Sequence, residues 1–250
     1  MNEVLLLAGA GCLAGAMNAL AGGGSFLTLP ALIAIGVPSV NANASSSLAL
    51  FPGGLASAWV YRANLTGVCG LTIRPLLLVS LAGGLAGSLL LLWTPSSLFD
   101  TVLPWLLLTA TLALAFGRRI GASLQGAVHG SAAVVLPVQF LLAVYGGYFG
   151  GAVGLMMMAA WSLLDGGDVK VLNAPRTLLV SAANTVAVGL FAVAGLVRWR
   201  ETMIVGLAAL LGAYAGAHLG KRLPPALVRA GTLILACGMT AVFFWKAYAH

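Results

Sequence analysis

Two short polar stretches stand at the heads of long apolar runs. They are Asn43-Ala44-Ser45-Ser46-Ser47-Leu48 and Asn173-Ala174-Pro175-Arg176-Thr177-Leu178, 130 positions apart. Their residue types suit a small anion. Asn43 and Asn173 are good N-caps for the helices expected to follow, and Pro175 fits a first turn, where its missing N–H costs nothing. A helix that starts inside a membrane turns its free N–H groups and positive dipole end inward. Two such starts facing each other make an anion site from backbone alone. Ser45, Ser46, Ser47 and Thr177 add hydroxyls. Arg176, whose partner in the spacing is Ser46, presents a planar fork of donors that matches a carboxylate or sulfonate with two parallel hydrogen bonds. An arginine inside a membrane marks function by default, because leaving it unpaired is expensive. Plainer readings stand beside these: capping at a surface helix start, and snorkelling of Arg176 to the membrane face.

Other polar or flexible residues cluster nearby. Gly22, Gly23 and Gly24 interrupt the first apolar run, and Gly150, Gly151 and Gly154 interrupt a later one. Such breaks permit unwound backbone, close approach to a ligand, or gating. Asn18, Ser25, Ser181 and Asn184 fall within a few turns of these places. Each serves equally as a hydrogen bond between helices. His218 reads as an interfacial residue beside Lys221 and Arg222, with a proton carrier as the alternative. Asp165-Gly166-Gly167-Asp168 is turn chemistry. Met156-Met157-Met158 reads as packing rather than a metal site. Cys12 and Cys237 read as small core residues, and the three cysteines show neither metal-ligand spacing nor a disulfide pattern. The acidic residues number only five and are scattered, so neither a hydrolytic carboxylate pair nor a Ser–His–Asp grouping emerges. The reading is a protein without enzymatic activity, cofactor or metal.

The elements that position these residues follow from composition. The chain has 250 residues, 61% hydrophobic and 7% charged, against about 25% charged in a soluble domain. Apolar runs long enough to cross a bilayer recur throughout, which implies an all-α polytopic membrane protein. No alternating short segments suggest a barrel. The net charge of +7 is scattered over short loops. It fits the positive-inside bias and argues against nucleic-acid binding. The partners implied are lipid and a small anionic substrate. The N-terminus is not basic, and the first run reads as a retained helix.

Taken in order, the chain gives a run from Val4 to Ala21, a glycine break, and a half-length piece from Phe26 to Ile35. The first polar stretch follows, then runs from Leu48 to Tyr61, Pro75 to Trp93 and Leu98 to Phe116. A shift of 130 positions repeats the order: Gly24 meets Gly154, Asn43-Ala44 meets Asn173-Ala174, and Pro95 meets Pro225. The chain is therefore read as two homologous halves, 1–124 and 125–250, each a transmembrane repeat of about four spans plus one short broken or re-entrant segment. Charge counts give seven basic residues against three whether the halves are parallel or inverted. Glycine-interrupted short segments at matching positions favour inverted halves. Small-residue faces such as Gly83-Gly84 and Gly87 suit either a homodimer or packing within the chain.

The run Gly22-Gly23-Gly24-Ser25-Phe26-Leu27, then Asn41-Ala42-Asn43-Ala44-Ser45-Ser46-Ser47, then Asn173-Ala174-Pro175-Arg176-Thr177, resembles the sulfite exporter TauE/SafE family over nearly the whole chain. Ser45 stands where that pattern carries threonine, a departure that keeps the hydroxyl. The resemblance implies an inner-membrane permease that moves small sulfur-containing anions, such as sulfite or organosulfonates, usually outward. Together with the residues, it gives an expected secondary transporter that binds its anion near the membrane midplane between the repeats. A channel for an anion, other ion or small substrate is the alternative. A membrane enzyme or receptor is disfavoured by the missing catalytic groups and the short loops.

Overall fold

Consecutive glycines are costly inside a helix, roughly 1 kcal/mol each; Gly23-Gly24 and Gly150-Gly151 lie between helices, whereas Gly53-Gly54, Gly83-Gly84 and Gly146-Gly147 are carried within them. The computed structural model describes residues 2–20, 23–123, 131–165, 171–220 and 225–248. Helix α1 (Asn2–Leu20) ends at the first glycine run, and α2 (Ser25–Ala34) begins beyond it. Then come α3 (Ser39–Tyr61), a single 3-10 turn at Arg62–Asn64, α4 (Ile73–Trp93) and α5 (Ser96–Ser123). The order recurs in α6 (Ala132–Tyr148), α7 (Val153–Asp165), α8 (Asn173–Val193), α9 (Trp199–Gly220) and α10 (Pro225–Tyr248). Long, short, long, long, long thus appears twice. The short members have 10 and 13 residues, about half the helix needed for a bilayer.

The fold is all-helical. Four stretches within these helices are long and apolar enough to cross a membrane: Ile73–Trp93, Ser96–Gly117, Asn173–Val193 and Ala230–Tyr248. Their outward faces are apolar, as lipid requires, with Leu78, Leu112 and Ile234 exposed. Trp59, Trp93, Trp199 and Trp245 are also exposed and sit at or near helix ends, the pattern of an interfacial aromatic belt. Arg62 stacks over Trp59 at 3.8 Å and donates from Nη1 to the Trp59 carbonyl at 2.7 Å. That contact anchors the end of α3.

Two expectations need correction. The helix containing the first polar stretch starts at Ser39, not Leu48, because Pro38 caps it: Ala42 N–H donates to the Pro38 carbonyl at 2.8 Å. Asn43 therefore lies inside α3 rather than capping it. The polar run does not end the helix because its side chains find partners on neighbouring elements. Asn173 is likewise the first helical residue, one past the cap. The Arg176 N–H donates to the Leu172 carbonyl at 3.1 Å, and Pro175 takes its expected place in the first turn. Cys12 and Cys237 are exposed rather than in the core. An apolar run in lipid does not distinguish inside from outside.

The described chain gathers into two compact units, each drawing on both sequence halves. The first comprises Met1–Gly53, Leu92–Thr111 and Phe191–His250; the second, Gly54–Leu91 and Leu112–Leu190. In the first unit α1 packs on α9 through small residues. A Cβ on Gly11 would stand 2.6 Å from the Val205 carbonyl oxygen, and one on Gly216 would stand 2.6 Å from Ala16 Cα. Without side chains there, the two backbones approach closely. In the second unit α4 packs on α6 in the same manner. A Cβ on Gly83 would lie 2.7 Å from the Phe140 carbonyl oxygen, and Gly87 abuts the Val144 backbone. Gly84 abuts Ala183 of α8. Of the two roles open to this glycine face, packing within the chain is the one realised. The apolar core of the second unit includes Val68, Leu76, Val135, Met157, Trp161 and Leu179.

Candidate functional site

The first polar stretch belongs to the first unit, where most of its side chains are engaged. Asn41 and Ser45 lie one turn apart on α3. Asn41 Nδ2 donates to the Leu196 carbonyl at 2.8 Å, and Ser45 Oγ accepts from the Arg198 N–H at 2.9 Å. Together they brace the turn that opens α9. Ser46 Oγ pairs with Thr28 Oγ1 of α2 at 2.5 Å. Ser45, Ser46 and Asn43 are all buried, and Ser47 is half-buried. At the α1–α2 break, Gly23 takes φ +99°, a backbone conformation that favours glycine. Asn18, exposed at the end of α1, lies beside Gly24. Ser25, half-buried, begins α2. Gly22 lies outside the described residues.

The second polar stretch belongs to the second unit and is differently arranged. Here Gly150 (φ +77°) and Ala152 (φ +56°) carry the chain from α6 to α7. The first bonded amides of α7 run from Leu155 and Met156 to the Ala152 carbonyl, at 2.9 and 3.2 Å. Preceding amide groups at this helix start have no i−4 partner within the helix. Gly151 lies against the Phe149 ring. The aliphatic stem of Arg176 passes Gly154: its Cδ lies 3.5 Å from where a Cβ on that glycine would stand. Arg176 thus sits in the opening turns of α8 and beside the opening turn of α7. Both helix ends carry positive partial charge, which disfavours a cation and favours an anion. No carboxylate side chain is among the described residues of this unit, since Glu3, Asp100 and Glu201 all belong to the other. The side chain of Asp165, and all of Asp168, Lys170, Lys221 and Arg222, lie outside the described residues.

The remaining candidates differ in their capacity to meet a ligand. Asn173 and Asn184 are half-buried and can turn amide donors to a ligand. Thr177 donates its proton to the Ala174 carbonyl at 2.9 Å, so only its lone pairs remain. Ser181 is buried beside Gly54 of α3. His218 is exposed, bonded through Nδ1 to the Tyr214 carbonyl at 2.9 Å, in keeping with an interfacial position. Met157 is core. Among the described residues no group of His, Cys, Asp and Glu is placed to hold a metal ion. Thr28 was not anticipated. Its partner lies 18 positions downstream, and neither its residue type nor its immediate neighbours mark it.

Comparison with known proteins places this arrangement in context. The family model described as "Sulfite exporter TauE/SafE" matches residues 7–243. A relative from Sinorhizobium sp, "Probable membrane transporter protein ORF9", is 30% identical over 86% of this chain and 84% of its own. A "Probable membrane transporter protein" of Haemophilus influenzae is 28% identical over 92% of this chain and 90% of its own. "Probable membrane transporter protein YfcA" of Escherichia coli K12 is 28% identical, covering 95% and 88%. The match spans both polar stretches and both glycine breaks, and the chain belongs to the sulfite exporter TauE/SafE family.

Proposed function

We propose that this protein is a secondary transporter in the cell's inner membrane that exports a small sulfur-containing anion such as sulfite or an organosulfonate. One observation carries the reading: Arg176 stands in the opening turns of α8 with its stem against Gly154 in the opening turn of α7. A guanidinium in that setting is stabilised by an anion that shares both positive ends. A sulfonate or sulfite has the oxygens to take the arginine fork and an α7 amide together. Asn173 and Asn184 supply neutral donors, while Ser45, Ser46 and Asn41 hold the neighbouring helices in place. The family's description supports a sulfur-containing anion, and the names of the relatives support a transporter. In this reading the two halves are inverted repeats.

The test of ligand class is a thermal-shift screen of the purified protein against sulfite, sulfate, alkylsulfonates and carboxylates of matched ionic strength. Sulfite or a sulfonate at 100 times its Kd should stabilise by about 2.7 kcal/mol. Stabilisation by carboxylates alone, or by none of the anions, contradicts the assignment.

A further inference from the structure

A second polar cluster lies in the second unit where α4, α6 and α7 meet. Gln139 of α6 is fully buried. Its Nε2 donates to Ser80 Oγ of α4 at 2.8 Å and approaches Met157 Sδ of α7 at 4.0 Å. Ser80 in turn donates its one proton to the Leu76 carbonyl at 2.8 Å. It can therefore only accept from Gln139. This fixes the amide orientation, with Nε2 toward Ser80 and Oε1 away from it. Gln139 Oε1 has no partner. One turn along α7 from Met157 is Trp161, fully buried, and its Nε1–H has no partner either. A buried acceptor and a buried donor thus stand unsatisfied in one small region. Each is costly alone, because a buried polar group without a partner forfeits its hydration.

We propose that Gln139 Oε1 and Trp161 Nε1 anchor a buried water molecule. The chemistry of the pair selects the occupant. An anion is repelled by the amide oxygen, and a cation by the indole N–H. A neutral molecule that both donates and accepts fits the two, and water is the one small enough for a core otherwise built of Leu76, Val135 and Leu179. Through it, Ser80 of α4, Gln139 of α6 and Trp161 of α7 form one polar node that holds the short helix α7 to its neighbours. The other half has no such node. The matching positions are Leu210, Gly9 and Ala31, and there the short helix α2 is tied to α3 by Thr28 and Ser46 instead. The two halves therefore fasten their short helices to different partners.

The sign of a stability change distinguishes a filled site from two orphaned groups. Gln139→Leu and Trp161→Phe each remove one anchor while keeping most of the volume. With a shared water, each single variant lowers the apparent Tm of the detergent-purified protein by about 2–4 °C for each kcal/mol lost. The double variant then falls no further than the worse single one, because the water is lost once. If the groups are orphaned and dry, Trp161→Phe does not lower the Tm, whereas Gln139→Leu still loses its bond to Ser80. A Tm that does not fall in Trp161→Phe, or losses that add in the double variant, overturns the proposal. If a variant fails to fold, the wild-type protein decides, in a lipid-nanodisc map that resolves ordered water. Density within hydrogen-bonding reach of both atoms is expected, and its absence there overturns the proposal.

Discussion

Thr28 and Ser46 share a buried hydrogen bond at 2.5 Å, and the same place in the other repeat is held by Met158 and Arg176. That exchange of a neutral pair for a cation gives the molecule its asymmetry at the level of single residues. Ser46→Ala leaves Thr28 with only its longer contact to the Gly24 carbonyl at 3.4 Å. The expected loss is about 1 kcal/mol of stability, read as a lower apparent Tm, with anion affinity unchanged. Arg176→Lys keeps the charge but not the fork. It should weaken sulfonate binding about tenfold, the equivalent of roughly 1.4 kcal/mol, by titration calorimetry. The residue types at this site were legible in the sequence: polar side chains in an apolar run need a reason. Their partners were not. Thr28, Leu196 and Arg198 meet the first stretch only after the chain has folded back, and no local pattern encodes that return.

At the scale of elements, the glycine clusters ahead of the two short apolar pieces were the clearest signals, and both short helices follow them, although Gly53-Gly54, Gly83-Gly84 and Gly146-Gly147 stay within helices. The start of α3 was misread because polarity was taken as a boundary. Pro38 sets the boundary, and the polar side chains are absorbed sideways. Glycines of the same type also divide by location, which sequence alone does not reveal. Gly212 of α9 stands hard against the Cys12 carbonyl, whereas Gly9 of α1 has nothing near it. Gly212→Ala should force α1 and α9 apart and lower the apparent Tm by several degrees, the overpacking penalty being about 1–3 kcal/mol. Gly9→Ala should leave the Tm unchanged or raise it, because alanine is the better helix former by about 0.8–1.0 kcal/mol. Equal effects from the two changes would contradict the packing described.

The whole molecule interleaves its two sequence halves. Helix α1 of the first half packs on α9 of the second, and α4 of the first packs on α6 of the second. The recurring order of long and short helices was legible because the breaks and polar stretches survive a fixed shift. The exchange of partners was not, because small residues mark a packing face without naming its mate. Inverted halves make a prediction about sidedness. In a background without native cysteines, Thr66→Cys and Ala194→Cys, both exposed, should label with impermeant maleimide from opposite faces of the membrane. Labelling from the same face would make the halves parallel. The central claim, that Arg176 is the charged anchor of a sulfur-oxyanion transporter, is tested most directly by flux in reconstituted proteoliposomes. Wild-type protein should carry sulfite or a small sulfonate across the bilayer, and Arg176→Ala should cut that flux by at least about tenfold, as the loss of one charge-assisted hydrogen bond of roughly 1.5–3 kcal/mol implies. Flux by Arg176→Ala equal to that of the wild type would contradict the account.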